Sequence, residues 1–414
     1  MCRSNLFRCL IVLSIATSGA NAFAGHHPPG YWQMPGVHVP KSYHQAPIVD
    51  HYVGQKPQVW DPQQPIEKLL TDVTQRSWLR VDYLHWNLGR PGSLNIGAPV
   101  LNETDPLVVF DNITGTSAGE AIIPNMGNMA LDDSSGIRGT WGLDLANADF
   151  ELEFFGTEQN HDGFAITNIA AGRDAGAERV GTTAKPNVVT PLLTSGSPQD
   201  AATANYLIYD SSFQTTLTSQ IWGAEATLLT KPYLPGPGVS LQWLGGFRYV
   251  VHEGEFRNRG VSNGGGLLAD TVTTFGGTTT NNIYGPEAGF RLQAENKWFT
   301  FSATPRIAFA LNDYTAITSA APLGQPETIS SGSDIEFTPI VQVSFTGEIH
   351  LTPNFSLFGG YDFMWIYRMT QPYDNIVYDS EPGLAGGFTP NIYQDIDLES
   401  FYARGLSFGA VLRY

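Results

Sequence analysis

The tightest group of residues that could do chemistry is His252-Glu253-Gly254-Glu255. An imidazole beside two carboxylates could hold and polarise a water for hydrolysis. One histidine with two acids is a weak signal, because paired charges on a surface usually meet only solvent. Five of the nine histidines, His26, His27, His38, His44 and His51, lie in one proline-rich stretch. They could bind a metal loosely, but no fixed ligand set is visible, and a polar linker is the simpler reading. There is no HExxH spacing and no glycine-rich phosphate loop. The expectation is therefore no catalytic residue, no bound cofactor and no metal. Most other charges follow a different rule: they recur at every second position.

That period belongs to strands, whose side chains point alternately to opposite faces. Ten segments show it, at 77–88, 136–145, 148–156, 212–229, 239–252, 283–295, 298–311, 335–351, 355–367 and 398–414. In 148–156, Ala148, Phe150, Leu152 and Phe154 share one face, and Asp149, Glu151 and Glu153 the other. The last segment, LSFGAVLRY, puts Leu406, Phe408, Ala410, Leu412 and Tyr414 on one face. An oily face backed by a polar one is the pattern of a strand with lipid outside and a wet lumen inside. The connections alternate in length. Long ones follow the odd segments (89–135, 157–212, 253–282, 312–334, 368–397), and short ones follow the even segments. Outer-membrane barrels have short periplasmic turns and longer outer loops. The fold class expected is all-β: a transmembrane antiparallel up-and-down barrel of about ten strands, spanning 77–414. Twelve strands is the alternative count, recruiting 105–111 and 206–209. Pro305 and Pro339 fall inside strands of a barrel that has no free edge, so either a bulge is expected there or the count is off by one hairpin.

The N-terminus fits export. Arg3 and Arg8 precede the apolar run 10–16, and Ala20-Asn21-Ala22 or Ala22-Phe23-Ala24 offers a cleavage site. Residues 1–24 read as a cleavable signal peptide. Both cysteines, Cys2 and Cys9, lie within it, so no disulfide is expected in the remainder. Residues 25–76 read as a periplasmic Pro/His-rich tail ending in a short amphipathic helix, with Ile66, Leu69, Leu70 and Val73 on one side. The net charge of −17 gives no electrostatic footprint for nucleic acid. Charged residues are only 15% and glycines number 44, which suits a barrel with polar loops.

The stretches SWLRVDYLHW, IWGAEATLL, LQWLGGFRYVVHEGEF, IYGPEAGFRLQAENKWF, EIHLTPNFSLFGGYDFMWIYR and LSFGAVLRY, in this order from Ser77 to Tyr414, resemble the bacterial family catalogued as the seventh group of β-barrel porins. The resemblance implies an outer-membrane barrel and assigns no functional residue.

Alternation places these charges in the lumen: Arg80, Asp82, Arg138, Asp144, Asp149, Glu151, Glu153, Glu225, Arg248, His252, Glu287, Arg291, Arg306, Glu348, Asp362 and Arg413. They read either as a salt-bridge network or as a narrow, cation-preferring pore for small solutes. Ten strands leave little room, since wide channels belong to sixteen or more. Two alternatives come from other classes. One is a structural or surface-interaction barrel whose outer loops 157–212 and 253–282 bind an extracellular ligand. The other is an outer-membrane protease with His252, Glu253 and Glu255 at its outer rim. The expected partners are the outer-membrane lipid bilayer and the barrel-assembly machinery. Phe408, Leu412 and Tyr414 of the closing strand would carry the assembly signal. Asn102-Glu103-Thr104 and Asn112-Ile113-Thr114 match a glycosylation sequon that is common by chance.

Overall fold

A computed structural model describes residues 65–99, 108–110, 117–167, 169, 187–189, 191–194, 205–209, 211–233, 238–262, 271–322, 325–382 and 388–414. The signal peptide, the histidine-rich tail and both sequons lie outside them. The first described element is helix α1, Pro65–Gln75. Pro65 fits its first turn, where a missing N–H costs nothing. Leu69 and Leu70 are exposed. The chain then enters ten long strands: β1 Ser77–Leu88, β2 Ser134–Asp144, β3 Ala148–Thr157 with its continuation Asn160–Thr167, β4 Ser212–Thr230, β5 Val239–Ser262, β6 Thr271–Glu295, β7 Phe299–Ala321, β8 Thr328–Thr352, β9 Phe355–Thr370 and β10 Leu398–Arg413.

Each strand pairs antiparallel with the next, and β10 pairs with β1, from Trp78↔Arg413 to Leu88↔Ala403. The sheet is therefore a closed ring without an edge, so every ladder group finds a partner within lipid. The two parts of β3 both lie along β4, at Gly156↔Trp222 and Asn160↔Ser219. The offset between those pairs marks a bulge at Glu158-Gln159, and makes one strand of the two parts. The twelve-strand count is not what forms. Val108–Phe110 and Asn205–Tyr206 belong to small separate sheets outside the ring.

The bulges expected at the prolines are also absent. Pro305 pairs with Val343, and Pro339 with Phe309, in an unshifted register. Opposite Pro305 the β6–β7 ladder loses contact between Gly289↔Arg306 and Leu292↔Ala303, yet resumes at the same offset. The ring absorbs a missing donor by skipping rungs.

Four strands run farther than alternation alone indicates. β5 to β8 are 23 to 25 residues long. About 9–11 residues suffice to cross the bilayer. Much of the expected loops 253–282 and 312–334 is strand, and so is the start of 157–212. These outer extensions lack an oily face because no lipid meets them.

β4 shows the consequence along a single strand. In its membrane portion Trp222, Ala224, Ala226 and Leu228 point outward, while Glu225 and Thr227 are buried inward. In its outer portion Gln214, Thr216, Thr218 and Gln220 point outward, and Phe213, Leu217 and Ile221 are buried inward. The same inversion runs round the ring. The outward belt exposes Tyr83, Phe154, Trp243, Phe247, Phe301 (62% exposed), Phe309, Phe345 and Phe408, among others. A soluble surface does not carry apolar residues in such a continuous band. Lipid is the solvent that belt requires.

Candidate functional site: a charged lumen below an apolar plug

The inward row of the membrane portion starts on neighbouring rungs: Arg80↔Thr140↔Glu153↔Glu225↔Arg248 runs unbroken across β1 to β5. Charges on adjacent rungs of a narrow barrel are desolvated together and need partners within reach. They have them. Arg138 binds Asp82 at 2.7 Å and Asp362 at 3.1 Å. Arg80 reaches Asp82 (3.3 Å) and Glu153 (3.1 Å), and its guanidinium lies 5.2 Å from the centre of the Phe358 ring. Arg248, 1% exposed, joins Glu225 (2.7 Å) to Glu287 (3.1 Å). Arg306 takes the second oxygen of Glu225. Arg291 holds Glu151 through two parallel bonds of 2.7 Å.

Several of these pairs cross the lumen instead of following the wall. Arg291 on β6 reaches β3, Arg306 on β7 reaches β4, and Arg138 on β2 reaches β9. Neutral side chains complete the layer: Thr227 donates to Glu287 (2.9 Å), Thr140 to Glu153 (3.0 Å) and Ser344 to Asp362 (2.7 Å). Below the layer lies a polar chamber of about 250 Å³ that reaches Trp78, Glu348 and Arg413 at the periplasmic end. There Arg413 binds Glu348 at 2.7 Å.

Above the charges the lumen is filled by apolar side chains. The inward residues of the wall, among them Leu84, Trp86, Leu217, Val250, Phe256, Phe275 and Ile340, form one buried cluster with residues of the connecting segments. Those segments bind one another. Ala98 N–H donates to Leu192 O (2.8 Å), Leu207 N–H to Pro191 O (3.0 Å), Thr194 N–H to Tyr378 O (3.0 Å) and Ser380 N–H to Thr194 O (2.7 Å). Tyr209 stacks on Phe213 of β4 at 5.6 Å between ring centres, and Tyr378 meets Phe275 of β6 edge-on at 5.5 Å.

Of the charges expected in the lumen, Arg80, Asp82, Arg138, Glu151, Glu153, Glu225, Arg248, Glu287, Arg291, Arg306 and Asp362 come together in this layer, with Glu348 and Arg413 at its periplasmic rim. Asp144 ends β2 at the β2–β3 turn, opposite Asp149 in register, so its side chain is 66% exposed and binds Lys231 at the periplasmic mouth. Asp149, also bound to Lys231 and accepting from Gln242 at 3.0 Å, stands at the mouth. Burial opposes the Lys231 charge, but the two carboxylates outweigh it and hold the ammonium above its ordinary value.

The rim group of His252, Glu253 and Glu255 does not form. β5 continues past it to Ser262, so His252 lies deep in the lumen, 1% exposed. Its Nε2 is 2.9 Å from Ser219 Oγ, and its ring lies 4.6 Å from that of Phe401. Glu253 faces outward on the same strand, and Glu255 pairs with Arg257. Among the described residues no cluster of histidine, cysteine and acids has the spacing of a metal site. Strand alternation alone does not reveal the apolar plug, although Leu84, Trp86 and Leu88 follow Arg80 and Asp82 on the same face of β1.

No curated protein matches the chain. Among solved structures it is similar to the outer membrane protease OmpT from Escherichia coli, at 9% identity over 82% of this chain and 97% of that one, with a TM-score of 0.43. It is also similar to the CymD monoaromatic hydrocarbon channel, at 8% identity over 83% and 90%, with a TM-score of 0.26. The toluene transporter TodX of P. putida matches at 8% identity over 82% and 89%, with a TM-score of 0.16. Such distant likenesses say nothing about what the chain does. The family described as "Putative beta barrel porin-7 (BBP7)" matches residues 78–414, which covers every strand of the ring except its first residue. The chain belongs to this porin-like family of outer-membrane β-barrels.

Proposed function

We propose that this protein is an outer-membrane barrel with a closed resting lumen, whose membrane portion anchors a folded outer portion presented for surface interaction. One observation carries this reading: two different seals are stacked in the same lumen. Cross-lumen arginine–carboxylate pairs close the membrane level, and the apolar cluster closes the level above. Water and ions would have to break both. The acidic lumen of a cation-preferring pore loses its force here, because each buried carboxylate of the layer already faces an arginine.

The polar chamber at the periplasmic end favours a second reading, a narrow pore that opens only when the plug moves. Catalysis has no support on either reading, since His252 is buried away from any rim acid. A peptide-cleavage assay in which the wild type is inactive agrees with this. The closing strand keeps Phe408, Leu412 and Tyr414 exposed on the lipid side. We read it as the segment offered to the barrel-assembly machinery. The test is solute flux in liposomes carrying the refolded protein. Swelling in arabinose no faster than that of empty liposomes supports the closed lumen. Swelling at porin-like rates contradicts it.

A further inference from the structure

The polar chamber at the periplasmic end carries an aromatic surface on its wall. Trp78 begins the inward face of β1, beside Gly142 on β2 and Arg413 on β10 in register. Its indole lies against Gly142, where any Cβ would overlap the ring, so only glycine admits it there. The ring is partly buried and lines the chamber. A flat apolar face is thus fixed in a space otherwise walled by hydrogen-bonding side chains.

Those side chains are already matched in charge. Each carboxylate lining the chamber meets a cation: Glu151 meets Arg291, Glu153 meets Arg80, Asp149 meets Lys231 and Glu348 meets Arg413. The arginines keep donors to spare, because a guanidinium has more N–H groups than one carboxylate can take. Arg306 gives Nη1 to Glu225, and its buried Nε has no acceptor among the described residues. The hydroxyls of Ser302 and Thr346, bonded to each other, line the same space, and so does Thr304.

This pattern selects a class of solute. A charged solute would have to break one of the pairs or sit beside them uncompensated, which is costly away from bulk water. A neutral solute rich in hydroxyls leaves every pair intact. Its oxygens accept from the spare guanidinium N–H groups, and its O–H groups donate to carboxylate oxygens, in place of bonds to water. Its C–H face packs on the electron-rich face of an indole. The chamber measures about 250 Å³. At about 30 Å³ per water that is room for about eight waters, or for one polyol ring but not a chain of rings.

We propose that the chamber is a dead-end binding site for one neutral polyol of monosaccharide size, entered from the periplasm. Trp78 is the stacking platform, and the spare N–H groups of Arg306 and Arg291 hold the solute's oxygens. The ion-pair layer is the chamber's ceiling, so the dead end rests on the closed-lumen reading above.

The test is saturation-transfer NMR of the refolded protein in micelles of lauryldimethylamine oxide, a detergent without sugar. The probes are D-glucose, D-galactose and myo-inositol, each titrated alone. At least one should bind saturably, and neither sodium acetate nor methylammonium chloride should displace it. Trp78→Ala should weaken that binding about tenfold, and Trp78→Phe, which keeps an aromatic face, should recover most of it. Ser302→Leu fills the chamber and serves if Trp78→Ala fails to fold, as read by heat-modifiable migration. Saturable binding of none of the three probes to the wild type overturns the proposal. Undiminished binding to the folded variant overturns it as well, and displacement by either ion overturns the neutral class. Passage of a bound probe across liposomes carrying the protein would instead overturn the closed lumen and leave the binding intact, so the two failures are distinguishable.

Discussion

The membrane portion and the outer portion of this barrel are built from the same strands with opposite polarity. Below, lipid outside requires an oily outer face and leaves the polar side chains inward, where they must pair. Above, water outside accepts Gln214, Glu253 and Arg257, and the interior packs as a soluble core does. The switch occurs within single strands, near Ile221 on β4 and Val250 on β5. A barrel of this width thus need not be hollow. Ion pairs bridge it over a polar chamber where the wall is greasy, and apolar side chains fill it where the wall is wet.

Reciprocal substitutions test whether the two portions obey different rules. The largest effect is expected from Arg248→Met. It leaves Glu225 and Glu287 buried without their shared cation, at a cost of about 3–5 kcal/mol. The urea midpoint of the refolded barrel should fall accordingly, and an unchanged midpoint would mean that the layer contributes nothing. Phe213→Ala, in the outer core on the neighbouring strand, should cost about 3–5 kcal/mol through the cavity it leaves. The same unfolding experiment reads it. Next comes Phe301→Arg on the lipid face. A cation there costs about 2–4 kcal/mol near mid-membrane, less toward the interface. Gln214→Arg, on the outward face of the outer portion, should stay within about 0.5 kcal/mol of wild type. Equal penalties for these last two would erase the distinction between the portions.

Lipid made the fold legible in the sequence. Where it touches the wall, the outward residues must be oily and the inward ones must not, so β1 could be read to both ends and β9 from its first residue after Thr352-Pro353-Asn354. That constraint ends above the membrane. The run TVTTFGGTTTNN opens β6 with no oily outward face and resembles a loop, although every residue of it is in strand. The charged layer was legible for the same reason as the strands. Its pairings were not, because Arg291 and Glu151 meet across the lumen from positions 140 apart in sequence. The plug was hidden more deeply. Ile96, Leu193 and Tyr378 lie on three separate connections, and only their meeting inside the ring gives them a common face. One local sign was available: on β1 the inward face turns from Arg80 and Asp82 to Leu84, Trp86 and Leu88.

If the ion-pair layer and the apolar plug close the lumen, the refolded protein passes no ions. Single-channel recording of the refolded chain in a planar bilayer at neutral pH tests it most directly. A closed lumen gives a silent membrane from protein whose heat-modifiable migration shows it to be folded. Reproducible ohmic steps from every inserted molecule would contradict it.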